Sequence, residues 1–338
     1  MKKDSRPPSI DDVARLAGVS ISTVSRVVNR NVPVSSEISE RVEAVMRELN
    51  YVPRPAARNL ATHRTNTIGL LLSDVLGDFF RPLLTGIETV VRENGFDLLI
   101  SLTGVTRPQD QRLRPFGLHN TDGLLIFAGS LTPEGLTQAH ATGLPLVLLH
   151  QSPPAGLSIP CVTVENKAAS RQLIEHLIVA HQRRRIVLLR GPENNEDARW
   201  RERGYREALA AHHIAVDSQL IGAGEFERHQ AQAAIERMLA EEVSFDAVFA
   251  GDDEAAVGVL ATLEAHSVRV PEEVAVVGFD DQRLAVILHP PLTTVRAPTE
   301  QVGREAARHL INLIRTGNAE PLTLLPTELV LRRSCGCG

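Results

Sequence analysis

From residue 67 onward the chain alternates short, continuous apolar runs with amphipathic stretches, and this alternation narrows the possible folds more than any other feature. The runs fall at 68–72, 96–102, 123–128, 145–149, 162–164, 186–189, 247–250 and 274–279, and helical periodicity lies between them at 80–94, 133–142, 168–181, 198–213, 229–242 and 254–266. A strand that is apolar on both faces has to be covered on both faces. Helices inserted between such strands therefore predict parallel sheets sandwiched by helices. The strands are too many for one unit of ordinary size, so the spacing predicts two doubly wound subdomains, one over about 67–165 and 296–318, the other over about 166–295 and 319–338. The chain is expected to cross between them near Glu165, Arg296 and Asn318, with a helix over 299–316 and a last strand near 327–332. Two such lobes leave a crevice at the carboxyl ends of their strands, where a small ligand binds.

Residues 1–66 follow a different pattern. Ser9 to Ser20 reads as a short helix, with Val13, Ala14 and Ala17 at helical spacing, and Gly18 sits where a left-handed residue can close it. Ser20 stands at the N-cap position of a second helix, from Ile21 to Asn29. In that second helix Val24, Val27 and Val28 form an inward face, while Ile21, Ser22, Ser25, Arg26 and Asn29 face out. Two short helices joined by a Gly-containing turn describe a helix-turn-helix, and a guanidinium on the outer face can read guanine in a major groove. By spacing alone an ordinary helical hairpin with a solvated face fits equally well. A third helix follows over 36–49, then a basic segment over 54–62.

Charge supports the nucleic-acid reading. The whole chain carries −5, but residues 1–66 hold eleven basic and seven acidic side chains, leaving the excess negative charge on the remainder. A basic end on an acidic body fits a dedicated DNA-binding module. The first residues are charged without an apolar core, no run approaches a membrane span, and three cysteines do not make a disulfide framework. A cytoplasmic protein with no membrane partner is expected. The Cys335-Gly-Cys337 tail has no His or Cys cluster nearby in sequence, so it is expected to fray, with no metal and no cofactor.

Taken together, the order D-V-A-x-x-A-G-V-S-x-x-T-V-S-R-V-V-N, the V-x-A-x-x-x-E-L-N-Y-x-P that follows and the A-x-x-L-A of 57–61 closely resemble the DNA-binding headpiece of the LacI/GalR (lac/gal repressor) family. The resemblance continues through Ile68-Gly69-Leu70, Phe79-Phe80, Gly123-Leu124-Leu125-Ile126, Arg201-x-x-Gly204-Tyr205, Asp252-Asp253 and Val277-Gly278-Phe279-Asp280-Asp281, nearly the whole chain. It implies an α/β fold: a helical headpiece followed by a periplasmic-binding-protein-like core of two doubly wound subdomains. It further implies that Ile21 and Ser22 open the recognition helix as specificity residues. Ser9, Ser20, Thr23, Ser25, Arg26 and Asn29 would then be further DNA contacts. Ala57 and Leu60 would lie in a hinge helix at 54–62 whose leucine enters the minor groove as an apolar wedge.

For the core, the resemblance implies that Arg201, Asp252 and Asp280 hold a ligand and that Phe80 and Phe226 pack against a sugar ring, Phe79 being left to the core. His150 stands, followed by Gln151, where the family usually has Asp-Arg. Other departures are Gly77-Asp78 for Asn-Pro, Glu165-Asn166 for Asp-Asn, and Ala297 for a frequent Gln. Pentose chemistry is therefore not carried over, though a carbohydrate remains the expected effector.

The expectation is a sequence-specific transcriptional repressor, not an enzyme, acting as a homodimer on a pseudo-palindromic double-stranded operator under control of a small molecule. No leucine heptad follows Ser334, so a tetramer is not expected. Two other readings stay open at this point. A soluble sugar-binding protein of transport would require a secretory signal and no headpiece. An α/β enzyme could use Asp252-Asp253 or Asp280-Asp281 as a carboxylate pair, but the chain has no nucleophile elbow, P-loop or metal-spaced His pair.

Overall fold

The computed structural model describes residues 8–29, 32–51, 64–73, 75, 77–103, 116–117 and 119–338, Asn29 by its backbone alone. The hinge residues Ala57 and Leu60 lie outside the described residues. The chain divides into two compact units at Thr65/Asn66.

The first unit holds α1 (Ile10–Ala17), α2 (Ile21–Asn29) and α3 (Ser36–Glu48). Ser9 starts α1 through a reciprocal cap: its hydroxyl accepts from Asp12 N while its own N–H donates to the Asp12 carboxylate at 3.0 Å. The pair satisfies two amides that the helix start leaves without partners. At the other end Gly18 adopts φ 66°, and the Val19 amide closes back on Ala14 O at 3.1 Å. The turn aims α2 away from α1 so that Val13, Ala14, Ala17, Val24, Val27, Val42 and Val45 meet in one small core.

The second unit contains two parallel sheets. The first has β1 (Thr67–Leu72), β2 (Asp97–Leu102), β3 (Gly123–Phe127), β4 (Leu146–Leu149), β5 (Cys161–Val164) and β11 (Leu322–Leu325), in the order β11-β5-β4-β3-β1-β2. The second has β6 (Ile186–Arg190), β7 (Ile221–Ala223), β8 (Ala247–Phe249) and β9 (Ala275–Val277), in the order β7-β6-β8-β9. Each order reverses beside its first strand, between β1 and β3 and between β6 and β8, which opens a crevice at the carboxyl ends of the strands.

Strands β1, β3, β4, β6, β8 and β9 are buried along nearly their whole length. Alternate side chains serve two cores. Ile68, Leu70 and Leu125 join a cluster with α4 (Phe80–Glu93) and α10 (Thr299–Thr316), while Leu71, Leu124 and Ile126 face α5 (Pro133–Ala141). In the second sheet Ile186 and Leu188 face α6 (Lys167–His181) and α7 (Glu196–Ala211), and Val187 and Leu189 face α8 (Arg228–Ala240) and α9 (Asp253–Ala265).

Three segments connect the lobes, after β5, after β10 (Thr294–Arg296) and between β11 and β12 (Glu328–Val330). The third corrects the expected boundary at Asn318. Residues 322–325 pair in parallel with β5 and so belong to the first lobe. Helix α10 stops at Gly317, φ 76°, the chain reverses and adds this edge strand, and only afterwards crosses to pair β12 with β10. The tail, expected to fray, is instead docked: Ser334 and Cys335 are fully buried, and the Ser334 hydroxyl donates to Val276 O at 2.6 Å.

Candidate ligand site and nucleic-acid interface

The crevice is held by a buried polar chain that begins on Arg201, one-third of the way along α7. Its guanidinium donates through Nε to Asn166 Oδ1 at 2.9 Å, through Nη1 to Gly251 O at 2.8 Å and through Nη2 to Asp280 Oδ1 at 3.1 Å. The centroid of the Phe279 ring lies 3.7 Å from the guanidinium carbon and that of Phe226 5.3 Å, so the cation lies over two aromatic faces. Phe226 has room there because residue 191 is glycine: a Cβ on Gly191 would stand 2.2 Å from the ring.

From Asn166 the chain runs on to Asp197, whose Oδ1 accepts from Asn166 Nδ2 at 2.8 Å and whose Oδ2 meets His150 Nδ1 at 2.7 Å. His150 directly follows β4 of the first lobe and Asp197 belongs to α7 of the second, so this contact bridges the crevice. A second bridge lies beside it, where the Ser152 hydroxyl donates to Glu196 at 2.7 Å. With Nδ1 engaged, His150 Nε2 is buried and has no hydrogen-bond partner among the described residues, and the same holds for Gln282 Oε1. A hydroxyl can both donate and accept, so a hydroxyl-bearing ligand could satisfy both atoms.

Burial and mutual repulsion set the carboxyls apart. Desolvation, then the nearby Asp280, push Asp252 up to about 8. Desolvation also raises Asp280, with Arg201 as the chief opposing influence. Asp253 is raised well above the usual carboxylate range, chiefly by burial. For Asp197 burial works upward too, but His150, Arg201 and a hydrogen bond from Thr163 outweigh it and leave that carboxyl below its ordinary value. Asp280 also sits at φ 102°, a backbone conformation that costs an L-residue about 1–3 kcal/mol and persists only where the surroundings enforce it. Here the enforcement is the Asp280 amide donating to Val295 O at 2.7 Å and the side-chain bond to Arg201.

The expected ligand residues are brought to this crevice in different ways. Arg201, Asp280 and His150 join the polar chain, and Phe226 stacks on Arg201. Asp252 is committed on one oxygen, which caps α9 by accepting from Ala255 N at 2.8 Å. Phe80 begins α4 with its ring buried against Phe127, whereas the half-buried Phe79 places its ring 5.7 Å from that of His150. Trp200 is exposed and donates to Glu196, away from Arg201's partners.

Sequence reasoning missed Asp197 and Gln282, and it named Asn166 and Asp253 without the partners they have here. Asp253 accepts from the Thr294 hydroxyl at 2.6 Å and from Gln282 N at 2.7 Å, tying the Asp280–Gln282 loop and the crossing strand β10 to α9. Gln282 also lines an adjoining groove of about 890 Å³ together with Asp78, Phe79, Asp280 and Ala297.

On the headpiece, the start of α2 presents a hydroxyl cluster. Ser20 Oγ lies 2.7 Å from Ser22 Oγ and 2.9 Å from Thr23 Oγ1, and its Oγ accepts from Thr23 N at 3.2 Å. Ile21 is 47% exposed beside them, and Arg26 is exposed one turn later, while Val24 between them is fully buried. An exposed isoleucine at a helix N-terminus suits a thymine methyl, and the surrounding hydroxyls and amides suit phosphates and base edges. Ser9 is spent on its helix cap, and Ser25 is half-buried.

Residues 9–54 match the sequence model for bacterial regulatory proteins of the lacI family, and residues 174–335 match that for a periplasmic binding protein-like domain. The chain is 36% identical to the HTH-type transcriptional regulator CelR of Thermobifida fusca, covering 97% of this chain and 98% of that one. It is 32% identical to the ribose operon repressor of Escherichia coli (strain K12), covering 96% and 98%. Among solved structures it resembles the lac repressor dimer bound to operator and the anti-inducer ONPF, with a TM-score of 0.84 and 28% identity over 98% of this chain and 99% of that one. It also resembles a CelR–cellobiose complex, with a TM-score of 0.72 and 33% identity over 97% and 99%.

Proposed function

Because this chain belongs to the LacI family of bacterial transcriptional regulators, we propose that a carbohydrate entering its crevice sets how tightly two headpieces of a homodimer hold a pseudo-palindromic operator. The protein is a ligand-controlled, DNA-binding repressor. The observation that carries the carbohydrate reading is the crevice chain Arg201–Asn166–Asp197–His150, flanked by aromatic rings and by polar atoms of His150 and Gln282 that have no partner among the described residues. Sugars offer hydroxyls that donate or accept for such atoms and a C–H face for the rings.

Arg201, Asp280, His150, Gln282, Phe79 and Phe226 are the residues assigned to the ligand, with Asp252 contributing its uncapped oxygen. Three of the five guanidinium protons of Arg201 are taken by protein acceptors, and His150–Asp197 and Ser152–Glu196 join the lobes directly. A ligand therefore acts by exchanging these inter-lobe bonds for its own, and it shifts the lobes only by its differential affinity for their two arrangements.

Ile21, Ser22, Ser20, Thr23 and Arg26 are assigned to base edges and phosphates. The homodimer is supported by apolar surface left open on the core: edge strand β2 exposes Leu99, Ile100 and Leu102, and Val286 and Ile287 are exposed on the second lobe. Footprinting of the full chain on its own upstream DNA tests the reading. Protection of an inverted repeat, lost steeply with rising salt, is expected. A folded chain that protects no symmetric site would overturn it.

A further inference from the structure

The docked C-terminal tail brings Cys335 and Cys337 onto the last turns of α6, beside His176 and His181. His181 Nε2 lies 3.2 Å from His176 Nε2. Cys337 Sγ lies 3.4 Å from each of these nitrogens, and Cys335 Sγ lies 3.7 Å from His176 Nε2. All four donor atoms fall within 4.8 Å of one another. The two halves of the group are more than 150 residues apart in the chain, so no local motif announces it.

We propose that His176, His181, Cys335 and Cys337 form a closed tetrahedral site for a zinc-like divalent cation. A tetrahedron built with zinc–sulfur bonds of about 2.3 Å and zinc–nitrogen bonds of about 2.0 Å has edges of about 3.3 Å between nitrogens, about 3.5 Å from nitrogen to sulfur and about 3.8 Å between sulfurs. The observed nitrogen–nitrogen separation and the three short nitrogen–sulfur separations lie within a few tenths of an ångström of those edges. The ligand set, two thiols and two imidazoles, selects zinc, cobalt or a similar borderline cation over magnesium or calcium. Four protein donors leave no open position, so the site is structural rather than catalytic.

The surroundings suit a thiolate. The Thr293 hydroxyl stands 3.0 Å from Cys335 Sγ, and the Thr293 N–H, donating to the Ser334 hydroxyl at 2.8 Å, fixes that residue in place. Such outer donors orient and steady a metal-bound sulfur. Thr293 immediately precedes β10, which crosses to the first lobe, and Arg332, three residues before Cys335, holds Asp281 at 2.6 Å next to the crevice carboxylate Asp280. A cation here pins the tail and the crossing strand to α6, at the base of the hinge between the lobes.

Cobalt(II) is the probe. The full chain, purified reduced and freed of metal by a chelator, is titrated with Co2+, then with Zn2+. The expected result is one equivalent of Co2+ giving intense tetrahedral d–d absorption and sulfur-to-cobalt charge-transfer bands. Zn2+ should remove both and raise the melting temperature. Cys337→Ser and His181→Gln change half-buried side chains, so both variants should keep the wild-type circular dichroism spectrum while losing tight binding. A folded, reduced wild-type chain whose cobalt stays pale and octahedral would overturn the proposal, and so would charge-transfer bands undiminished in both variants.

Discussion

Replacing Arg201 by methionine removes the cation and its donors while keeping an apolar stem between Phe226 and Phe279. Two neutral acceptors, Asn166 Oδ1 and Gly251 O, and the carboxylate of Asp280 lose their donor. Each neutral bond contributes about 1 kcal/mol net. Stranding a buried charge by deleting its partner costs about 3–5 kcal/mol. The larger cost depends on pH, because burial already raises Asp280 and Arg201 is the main influence holding it down. Without Arg201 the folded-state pKa of Asp280 climbs further above its unfolded value. The protonated carboxyl needs no counter-ion, so stability is fullest at acid pH and is lost as pH rises through that raised pKa. Urea denaturation should show the variant weaker by roughly 2 kcal/mol at pH 5, the neutral bonds alone, and by about 3–5 kcal/mol at pH 8. In melting temperature the pH 8 loss is roughly 10 °C at 2–4 °C per kcal/mol. A loss below about 1 kcal/mol that is the same at both pH values would rule out this role for Arg201, since two bonds and a buried ion pair predict more.

Three further outcomes are expected. Asp252, pushed up to about 8, favours the folded state less as pH rises from the ordinary carboxylate range through 8. Asp252→Asn, which keeps an oxygen to cap α9, should flatten that slope and be the more stable protein at pH 9 by roughly 2–5 kcal/mol; a slope identical to wild type in urea titrations would contradict this. Ser9→Ala breaks both arms of the α1 cap and should lower local stability by about 1 kcal/mol, read as faster amide exchange at Asp12 and Val13 in the full chain. Ile21→Ala or Ser22→Ala should change which operator variants are preferred in a binding selection, whereas Leu60→Ala should weaken binding to all of them alike.

The fully buried strands were legible because burial on both faces writes them as unbroken apolar runs. β11 was not, because it is an edge strand with Leu322 and Leu324 half-exposed, and missing it displaced the last crossing from beyond Leu325 to Asn318. In the crevice, Arg201, Asp280 and the position of Asn166 were reachable through family resemblance, but Asp197 carries no such signal and nothing local tells what Asn166 binds. Asp197 sits in the first turn of α7 and reads as a charge favouring the helix dipole, and Asn166 reads as a turn residue before α6. Only folding shows that the two link His150 to Arg201. His176 and His181, five apart on α6, form no metal-spaced pair until the tail arrives beside them.

Coupling between crevice and operator is open to a single titration. Fluorescence anisotropy of the full chain on its inverted-repeat operator is measured with and without a carbohydrate that raises the chain's melting temperature. Saturating sugar should change operator affinity by about tenfold or more, within the 1–3 kcal/mol usual for allosteric coupling, and Arg201→Met should abolish the change while leaving sugar-free binding intact. Affinity unaltered by a sugar that demonstrably fills the crevice would contradict that coupling.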